Sequence, residues 1–526
     1  MATGSARRSM RLVDYFQRAV ERDGNQIAFQ DELVSVTYRE ADESSFKVAA
    51  GLQAADLVDQ HKVAVLCPNS AEAFVVVLGI IRSGAVWVPL NVRNTAQVNA
   101  AFLKGADCVC LFYHSSLSAD VQEILEFNPQ LEAVCIDDKP LRDHRTLEAF
   151  TADTATEVRG APDDPDALLM ILPTGGTTGR SKAVMITNQV WESVVATCLS
   201  CLKPHERTAW LVAGPMTHGA GIVGLMMMPA APTYVILRKP DAKGVIDTLE
   251  NSRITHLFIP PTLLNMVMEH ENVSTRDFSS LEKMVISASP IAPDKLRKAV
   301  AIFGDAVCES YGQAEAMMFL TFLSNHDLRT IAPGQALDRF ASCGRATLGA
   351  RVEIMDDEGN VLPPLQKGEI VAQGSFVFPG YYKNDEATAE VSTHGWHHTG
   401  DVGYKDEQGF FYVLDRKKDM IVTGGFNVFS AEVEAAIISH TSVRECVVIG
   451  VPDERWGEAV KAVVELIDGG QLDEAAVQAL VRKRLGGVHT PKSVEFWPVL
   501  PRSPNGKILK SDVRAHFWRG RDRYVG

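Results

Sequence analysis

The sequence predicts an α/β protein: a large domain of layered helices and mostly parallel sheets over residues 1–415, followed by a small α+β domain over residues 416–526. Three observations predict this class. The chain has 526 residues, more than a single core usually supports. Up to residue 415, β-rich apolar runs such as 63–67 and 255–261 alternate with helical patterns such as 70–84. Beyond it, the pattern changes to a helix from Ser430, a strand over 443–452, a helix over 474–484 and a last strand before Pro501.

The composition argues against several classes of protein. A net charge of −14 with scattered Lys and Arg is unlike the basic face of a nucleic-acid-binding protein. Nine dispersed cysteines, an odd number, are typical of a reducing compartment, and we expect a cytoplasmic protein. We interpret Cys198 and Cys201 as core thiols despite their CxxC spacing, because the apolar residues around them have helical spacing.

No targeting or membrane segment is expected. The N-terminal residues lack the apolar region of a signal peptide, because Leu12 and Val13 are followed directly by Asp14. The uncharged stretch 208–237 is long enough to cross a bilayer, but it carries several glycines and prolines. We therefore expect buried strands and a helix there rather than a membrane span.

A Thr/Gly-rich loop lies between two apolar runs within residues 167–188. Backbone N–H groups of a Gly-rich turn point into one concavity, Thr hydroxyls add donors, and a lysine adds positive charge. These groups are what a nucleoside triphosphate requires. The spacing is not that of the P-loop, because Lys182 follows Gly179 by three positions. The candidate phosphate-binding residues are Thr174, Gly175, Gly176, Thr177, Thr178, Gly179 and Lys182.

Six further motifs follow this loop in order. They are PMTHGAG at 215–221, ISASP at 286–290, ESYGQAEA at 309–316, TGD at 399–401, DRKKDMIVTGGFN at 415–427 and PRSPNGKILK at 501–510. In this order and at these separations they resemble the acyl-adenylate-forming superfamily of acyl-CoA and aryl-CoA ligases, luciferases and peptide-synthetase adenylation domains. The resemblance covers nearly the whole chain. It implies an N-terminal domain of several subdomains and a C-terminal lid that moves.

The resemblance also implies an ATP site with Mg²⁺. The loop would hold the β and γ phosphates, and Mg²⁺ would bridge phosphate oxygens with Glu315 and the Thr174 hydroxyl. An aromatic ring can stack on adenine and a glycine leaves room for it, which suits Tyr311 and Gly312. The nucleotide-binding residues implied around them are Ala288, Ser289, Ser310, Gln313 and Ala314. Ala314 is a departure, because the superfamily usually has Thr there, in contact with the α phosphate.

Further residues are assigned by the same resemblance. Asp401 and Arg416 suit the ribose, because a carboxylate accepts from its hydroxyls and a guanidinium donates to them. Lys507 would lie between the acyl carboxylate and the α phosphate, with a domain hinge near Lys418 that swings it in and away. The implied catalytic residues are thus Lys507, Lys182, Glu315 and His218, the last lining the acyl entrance. Gly424 and Gly425 would let a pantetheine arm pass, although a plain strand turn also explains this pair.

The branch of the superfamily follows from two differences, one in the His218 motif and one after Gly344, where this chain lacks the insertion that marks fatty-acyl-AMP ligases. Adenylation domains for α-amino acids have an acid near the start of the His218 motif, where this chain has Pro215 and Met216. We therefore expect a carboxylic acid without an α-amino group, aryl or fatty, with CoA as acceptor. Two other functions remain open: transfer of the acyl group to a separate carrier protein, and a catalytically reduced nucleotide-binding homologue, which Ala314 alone supports. Dimers are common in the superfamily, and the sequence leaves a homodimer open.

Overall fold

The computed structural model describes residues 8–58, 60–141, 143–152, 157–160, 163–174, 181–329, 338–502 and 508–518. The contacts divide the chain into two compact units. The first comprises Met1–Val352 and Ala372–His397, and the second comprises Glu353–Val371 and His398–Gly526. Within the described ranges, none of the helices has the length and apolar character that crossing a bilayer would need.

The helices are α1 (Leu12–Asp23), α2 (Tyr38–Ala54), α3 (Ala71–Ser83), α4 (Ala96–Gly105), α5 (Ser118–Phe127), α6 (Leu147–Thr151), α7 (Asn188–Leu202), α8 (Gly219–Met226), α9 (Ala242–Asn251), α10 (Pro261–Glu269), α11 (Pro293–Phe303), α12 (Asn325–Arg329), α13 (Asp385–Glu390), α14 (Ser430–Ile438), α15 (Glu474–Leu485) and α16 (Lys510–Phe517). The strands are β1 (Ile27–Gln30), β2 (Ser35–Thr37), β3 (Lys62–Leu66), β4 (Val86–Pro89), β5 (Cys108–Tyr113), β6 (Glu132–Cys135), β7 (Arg145–Thr146), β8 (Leu168–Thr174), β9 (Lys182–Thr187), β10 (Ala209–Val212), β11 (Thr233–Ile236), β12 (His256–Ile259), β13 (Lys283–Ile286), β14 (Val307–Tyr311), β15 (Thr321–Leu323), β16 (Gly344–Ala346), β17 (Arg351–Met355), β18 (Gly368–Gln373), β19 (His397–Lys405), β20 (Phe410–Arg416), β21 (Ile421–Thr423), β22 (Phe426–Val428), β23 (Val443–Asp453), β24 (Gly457–Leu466) and β25 (Ser493–Phe496).

The first unit contains two sheets built mainly from parallel strands. One has the order β7-β6-β5-β3-β4-β8-β9, parallel except for the β8–β9 hairpin. Parallel neighbours need a crossover, and α3 provides one between β3 and β4. The Ser70 side chain caps the start of α3 by accepting from the Ala73 N–H, and Gly84 ends it at φ 91°, where a residue with a Cβ is disfavoured.

The other sheet of the first unit carries the motif strands. Strands β14, β13, β12, β10, β11 and β1 run parallel in that order, and β2, β15 and β16 add antiparallel pairs at its ends. The central strands β10, β12 and β13 are short apolar runs that are almost completely buried, as expected when helices cover both faces. The carboxyl ends of β13 and β14 lie side by side, because Ile286 pairs with Glu309.

The second unit has a four-strand order β17-β18-β19-β20 and a separate sheet β22-β21-β24-β23, in which β25 pairs with β24. Valines of β23 and β24 form a small core with α14 and α15. This sheet-and-helix arrangement is the α+β unit predicted for the end of the chain.

The predicted fold class is confirmed, including the strands and helices named from the pattern. The division by contacts differs from the predicted boundary between residues 415 and 416, because 353–371 and 398–415 pack with the C-terminal segments. That boundary, and a hinge near Lys418, remain predictions. Cys198 is fully buried and Cys201 half-buried on α7, and all nine cysteines are free thiols.

Candidate active site

The ends of the Thr/Gly-rich loop face each other across a hairpin. Thr174 ends β8, Lys182 begins β9, and the two are cross-strand partners. The Thr174 Oγ1 donates to the Lys182 carbonyl at 3.4 Å. The loop residues between them, Gly175, Gly176, Thr177, Thr178 and Gly179, lie outside the described residues. The hairpin therefore fixes a hydroxyl and an ammonium at the base of the predicted phosphate loop.

Tyr381 joins this lysine to the predicted metal-binding glutamate. The Tyr381 Oη donates to the Glu315 Oε1 at 2.8 Å, and the Lys182 Nζ lies 4.6 Å from the centroid of the Tyr381 ring. A cation at this distance over an aromatic ring is attracted to it. Burial, helped by the neighbouring Glu315 charge, raises the pKa of Tyr381 well above its ordinary value. The hydroxyl therefore remains a protonated donor.

The backbone of residues 377–382 holds these side chains together. The Tyr382 N–H donates to the Ala183 carbonyl at 2.8 Å, which ties the segment to β9. The Phe378 N–H donates to the Glu315 carbonyl at 2.8 Å, which ties it to the other motif. The structure thus places Lys182 and Glu315 on one tyrosine, with Thr174 across the hairpin from Lys182, and their roles toward ATP and Mg²⁺ remain predictions. It adds Tyr381, which the sequence analysis missed; its local signal is only an aromatic pair after Pro-Gly.

The two predicted adenine walls are neighbours. The Ser287 Oγ, at the end of β13, donates to the Ser310 carbonyl on β14 at 2.7 Å. Ala288 follows with φ 78°, a left-handed conformation that is strained for a residue with a Cβ. Ser310 is buried, whereas Tyr311 is only partly buried. Parallel strand ends meet at one sheet edge, which explains why Ala288 and Ser289 lie near this motif.

The chain makes a tight turn within the motif at 309–316. The Gln313 N–H donates to the Ala316 carbonyl at 3.2 Å, and Gln313 forms an isolated bridge with Met317. Residues 311–315 are all partly accessible, so Tyr311, Gly312, Gln313, Ala314 and Glu315 form a continuous accessible edge after β14. Ala314 has no polar side-chain atom to offer at this edge.

His218 is the N-cap residue of α8. Its Nδ1 lies 3.2 Å from the Thr217 Oγ1. Burial, together with the positive charge of Arg93, lowers the pKa of His218 to about 4. The imidazole is therefore neutral at physiological pH and can take part only as a neutral group.

In the second unit, Asp401 and Arg416, which are both predicted to bind the ribose, contact each other. They are cross-strand partners on β19 and β20, and the Arg416 Nε lies 2.7 Å from the Asp401 Oδ1. The Asp401 side chain is 5% exposed and that of Arg416 43%. The Asp401 carboxylate is therefore buried against Arg416, whereas the Arg416 side chain remains partly accessible.

Glu369 supports the strand that carries Asp401. Its Oε1 accepts from the Gly400 N–H at 2.9 Å, and its Oε2 lies 3.1 Å from the His398 Nδ1 and 3.2 Å from the Lys417 Nζ. Burial disfavours the Glu369 charge, but the His398 hydrogen bond and the Lys417 ammonium outweigh it and lower the pKa of Glu369. A charged carboxylate thus fixes the backbone just before Asp401.

Gly424 and Gly425 form the tight turn between β21 and β22. Both have positive φ, 56° and 81°, as a two-residue hairpin turn of the primed type requires. A Cβ on Gly424 would lie 2.5 Å from the Trp456 ring. The turn alone is therefore a sufficient reason for these glycines, and a role toward CoA remains a prediction.

The predicted catalytic Lys507 lies outside the described residues, but α16, which follows it, is firmly attached. The Lys510 Nζ lies 2.8 Å from the Glu434 Oε1 and donates to the Ser430 Oγ at 2.7 Å. Burial opposes the lysine charge, but Glu434 raises the pKa of Lys510. The first residue of α16 is thereby attached to α14.

Comparisons with known proteins match both parts of the chain. A model of the AMP-binding enzyme family matches residues 16–382, and a model of the AMP-binding enzyme C-terminal domain matches residues 432–507. The chain is 34% identical over 496 residues to a feruloyl-CoA synthase of Amycolatopsis sp., covering 92% of this chain and 94% of that protein. It is 38% identical over 371 residues to a medium/long-chain-fatty-acid–CoA ligase of Mycobacterium tuberculosis, covering 69% of this chain and 63% of that protein.

A solved structure extends the likeness to the whole fold. The amide bond synthetase of Marinactinospora thermotolerans superposes with a TM-score of 0.86 at 28% identity, covering 96% of this chain and 100% of that chain. The fold and the family models together define an adenylate-forming enzyme. The chain belongs to the AMP-binding enzyme family, in the branch of AMP-forming acyl-CoA synthetases. The resemblance drawn from the motifs is thus confirmed, and this branch uses ATP and CoA.

Proposed function

We propose that this chain is an ATP-dependent ligase that joins CoA to a carboxylic acid without an α-amino group, aryl or fatty. In the first half reaction, a carboxylate oxygen attacks the α phosphorus of ATP and pyrophosphate leaves. In the second, the CoA thiolate attacks the acyl carbonyl and AMP leaves. The proposal rests mainly on one observation: Lys182, at the base of the Thr/Gly-rich loop, and Glu315 both contact the side chain of Tyr381.

The donor groups fit a Mg²⁺ ion. This hard cation takes oxygen ligands, commonly one or two carboxylates together with substrate phosphates and waters. Glu315 has one carboxylate oxygen held by Tyr381, and none of the described residues hydrogen-bonds to the other. Thr174 supplies a hydroxyl oxygen at the loop base. In this proposal Glu315 and Thr174 hold the ion, which neutralises charge on the phosphates when bound.

The protein's own contribution is positioning and charge. Lys182 and the loop residues bind the β and γ phosphates. Tyr311 and Gly312 with Ala288, Ser289, Ser310, Gln313 and Ala314 enclose the adenine, and Asp401 with Arg416 holds the ribose. Lys507 offsets the repulsion between carboxylate and α phosphate, and a rotation near Lys418 then replaces it with the Gly424–Gly425 turn. His218, as a neutral group, lines the acyl entrance.

The substrate class rests on the relatives. One is named for ferulate and another for medium and long-chain fatty acids, so an aryl or a fatty acid is the proposed substrate. Nine free thiols support a reducing location, and we propose the cytoplasm.

The test measures AMP and pyrophosphate release with ATP and Mg²⁺ over acetate, benzoates, cinnamates and medium to long-chain fatty acids. Each acid is assayed with CoA, without CoA and with a pantetheinylated carrier protein, and Lys182→Ala is the control variant. We expect multiple turnover only with CoA, for one class of acid, and at least a tenfold loss in Lys182→Ala, as for a lost charge-assisted contact to phosphate. Turnover that needs the carrier protein instead would favour that acceptor. ATP binding without AMP from any acid would favour the catalytically reduced homologue.

A further inference from the structure

Tyr381 contacts both charged groups of the proposed ATP site with different parts of one side chain. Its hydroxyl donates to the Glu315 Oε1 at 2.8 Å, and its ring lies 4.6 Å below the Lys182 Nζ. A phenol that donates to a carboxylate has a more electron-rich ring, so the hydrogen bond strengthens the cation–π contact. The two contacts are therefore coupled through the ring.

The ring itself has little freedom. Tyr381 is 4% exposed, and the Phe378 ring meets it edge-on with centroids 4.9 Å apart. The Tyr381 N–H donates to the Thr388 Oγ1 at 2.9 Å, and Gly380 accepts from the Met185 N–H at 3.2 Å. Because packing fixes the ring and hydrogen bonds fix the backbone, the Tyr381 side chain can hold its two charged neighbours in fixed positions.

We infer that Tyr381 is a positioning residue for ATP and its metal. Its hydroxyl fixes one oxygen of Glu315 so that the other is available to Mg²⁺, and its ring keeps the Lys182 ammonium at the base of the phosphate loop. This inference rests on the proposed function, in which Glu315 and Lys182 bind the metal and the phosphates. Tyr381 touches neither the acid nor CoA in this assignment, so it acts through the two charged residues.

The neighbouring tyrosine is a matched control. The Tyr382 hydroxyl donates to the Asp107 Oδ2 at 2.8 Å, and Lys62 and Lys383 lie 4.9 Å and 5.6 Å from its ring centroid. It makes the same types of contact, a carboxylate at its hydroxyl and ammonium groups over its ring, but with residues outside the motifs. Tyr382→Phe removes an equivalent hydroxyl without affecting Glu315.

The experiment compares the parent, Tyr381→Phe and Tyr382→Phe. The first readout needs no catalysis: the rise in Tm caused by ATP is titrated with Mg²⁺ in the absence of acid, which yields the Mg²⁺ concentration at half-effect. The second is acid-dependent pyrophosphate release against Mg²⁺, together with the KM for the acid. In Tyr381→Phe we expect roughly tenfold or more Mg²⁺ at half-effect, as for a lost hydrogen bond to a charged group, with the KM for the acid unchanged. Tyr382→Phe should match the parent.

Two results would overturn the inference: an unchanged Mg²⁺ requirement in Tyr381→Phe, or an equal change in both variants. If Tyr381→Phe does not accumulate as a folded protein, Thr388→Val replaces it, because it removes the acceptor of the Tyr381 N–H and leaves the Tyr381 side chain itself intact; the Thr388 hydroxyl that it removes also donates to the Asn384 carbonyl, within the same segment. A smaller rise in the Mg²⁺ requirement is then expected, and no rise overturns the inference. Failure of the proposed function looks different, because the parent itself would then show no multiple turnover with any acid and CoA, whereas the Mg²⁺ titration of its Tm does not depend on turnover.

Discussion

Gly312 lies against the backbone of Met318, so that a Cβ added to Gly312 would stand 2.8 Å from the Met318 Cα and 3.0 Å from its N and C atoms. Met318 and Phe319 have φ of 43° and 54°, a strained conformation for two successive residues with side chains. The added Cβ would thus clash with backbone atoms, and no change of side-chain rotamer could relieve that clash. It fixes the accessible edge formed by residues 311–315.

Gly312→Ala is expected to displace this edge. A backbone clash of this kind typically destabilises by about 1–3 kcal/mol, and the shift would move Tyr311 and Glu315. We expect a lower Tm and at least a tenfold rise in the KM for ATP, measured by pyrophosphate release. Gly105→Ala, at the end of α4, is the control, because a Cβ there meets nothing within 4 Å. Equal behaviour of the two variants would contradict this account of Gly312.

Lys510→Met is expected to destabilise the second unit. It leaves the Glu434 carboxylate without the ammonium that lies 2.8 Å away, and breaking a buried pair from one side costs about 3–5 kcal/mol. The double variant Lys510→Met, Glu434→Gln removes both charges and keeps an oxygen that can accept from the Val448 N–H, as the Glu434 Oε1 does at 2.7 Å, so its Tm should recover most of the loss. Thermal unfolding of the three proteins checks this. A double variant less stable than Lys510→Met would show that the pair is not the cause.

Much of this site follows from the sequence, because its parts are local or lie at strand ends. The loop ends at Thr174 and Lys182 face each other because a hairpin joins them, and Ala288 approaches Tyr311 because parallel strands end at one edge. Tyr381 could not be found in this way. Its hydrogen-bond partner Glu315 is 66 positions away, and no periodicity relates the two. The positive φ angles of Ala288 and Met318 could not be predicted from the sequence either, because only glycine and asparagine adopt such angles often enough to indicate them.

The low pKa of His218 predicts a loss of stability in mild acid. The folded pKa is about 4, whereas an unfolded histidine has a pKa of about 6.5. Between these values the unfolded chain binds a proton that the folded chain does not, so stability falls as the pH is lowered through this window. At pH 5 the loss is on the order of 2 kcal/mol. His218→Gln has no such group, so its Tm should fall less than that of the parent between pH 7.5 and pH 5. If the Tm of the two proteins falls equally between pH 7.5 and pH 5, the pKa of His218 is not lowered in the folded protein.

Lys507→Ala separates the two half reactions. In the proposed mechanism Lys507 offsets the repulsion between the acyl carboxylate and the α phosphate, which in a site of effective dielectric about 20 amounts to several kcal/mol. That repulsion exists only before pyrophosphate leaves, because the acyl adenylate has already lost one of the two charges. We therefore expect a loss of about a hundredfold or more in acid-dependent pyrophosphate release, and less than tenfold in thioester formation from supplied acyl-AMP and CoA. Lys483→Ala, an exposed lysine on α15, should leave both rates unchanged. Equal losses in the two half reactions of Lys507→Ala would contradict this role. They would mean that Lys507 supports the structure of the second unit, as the contacts of Lys510 do, and so affects both half reactions alike.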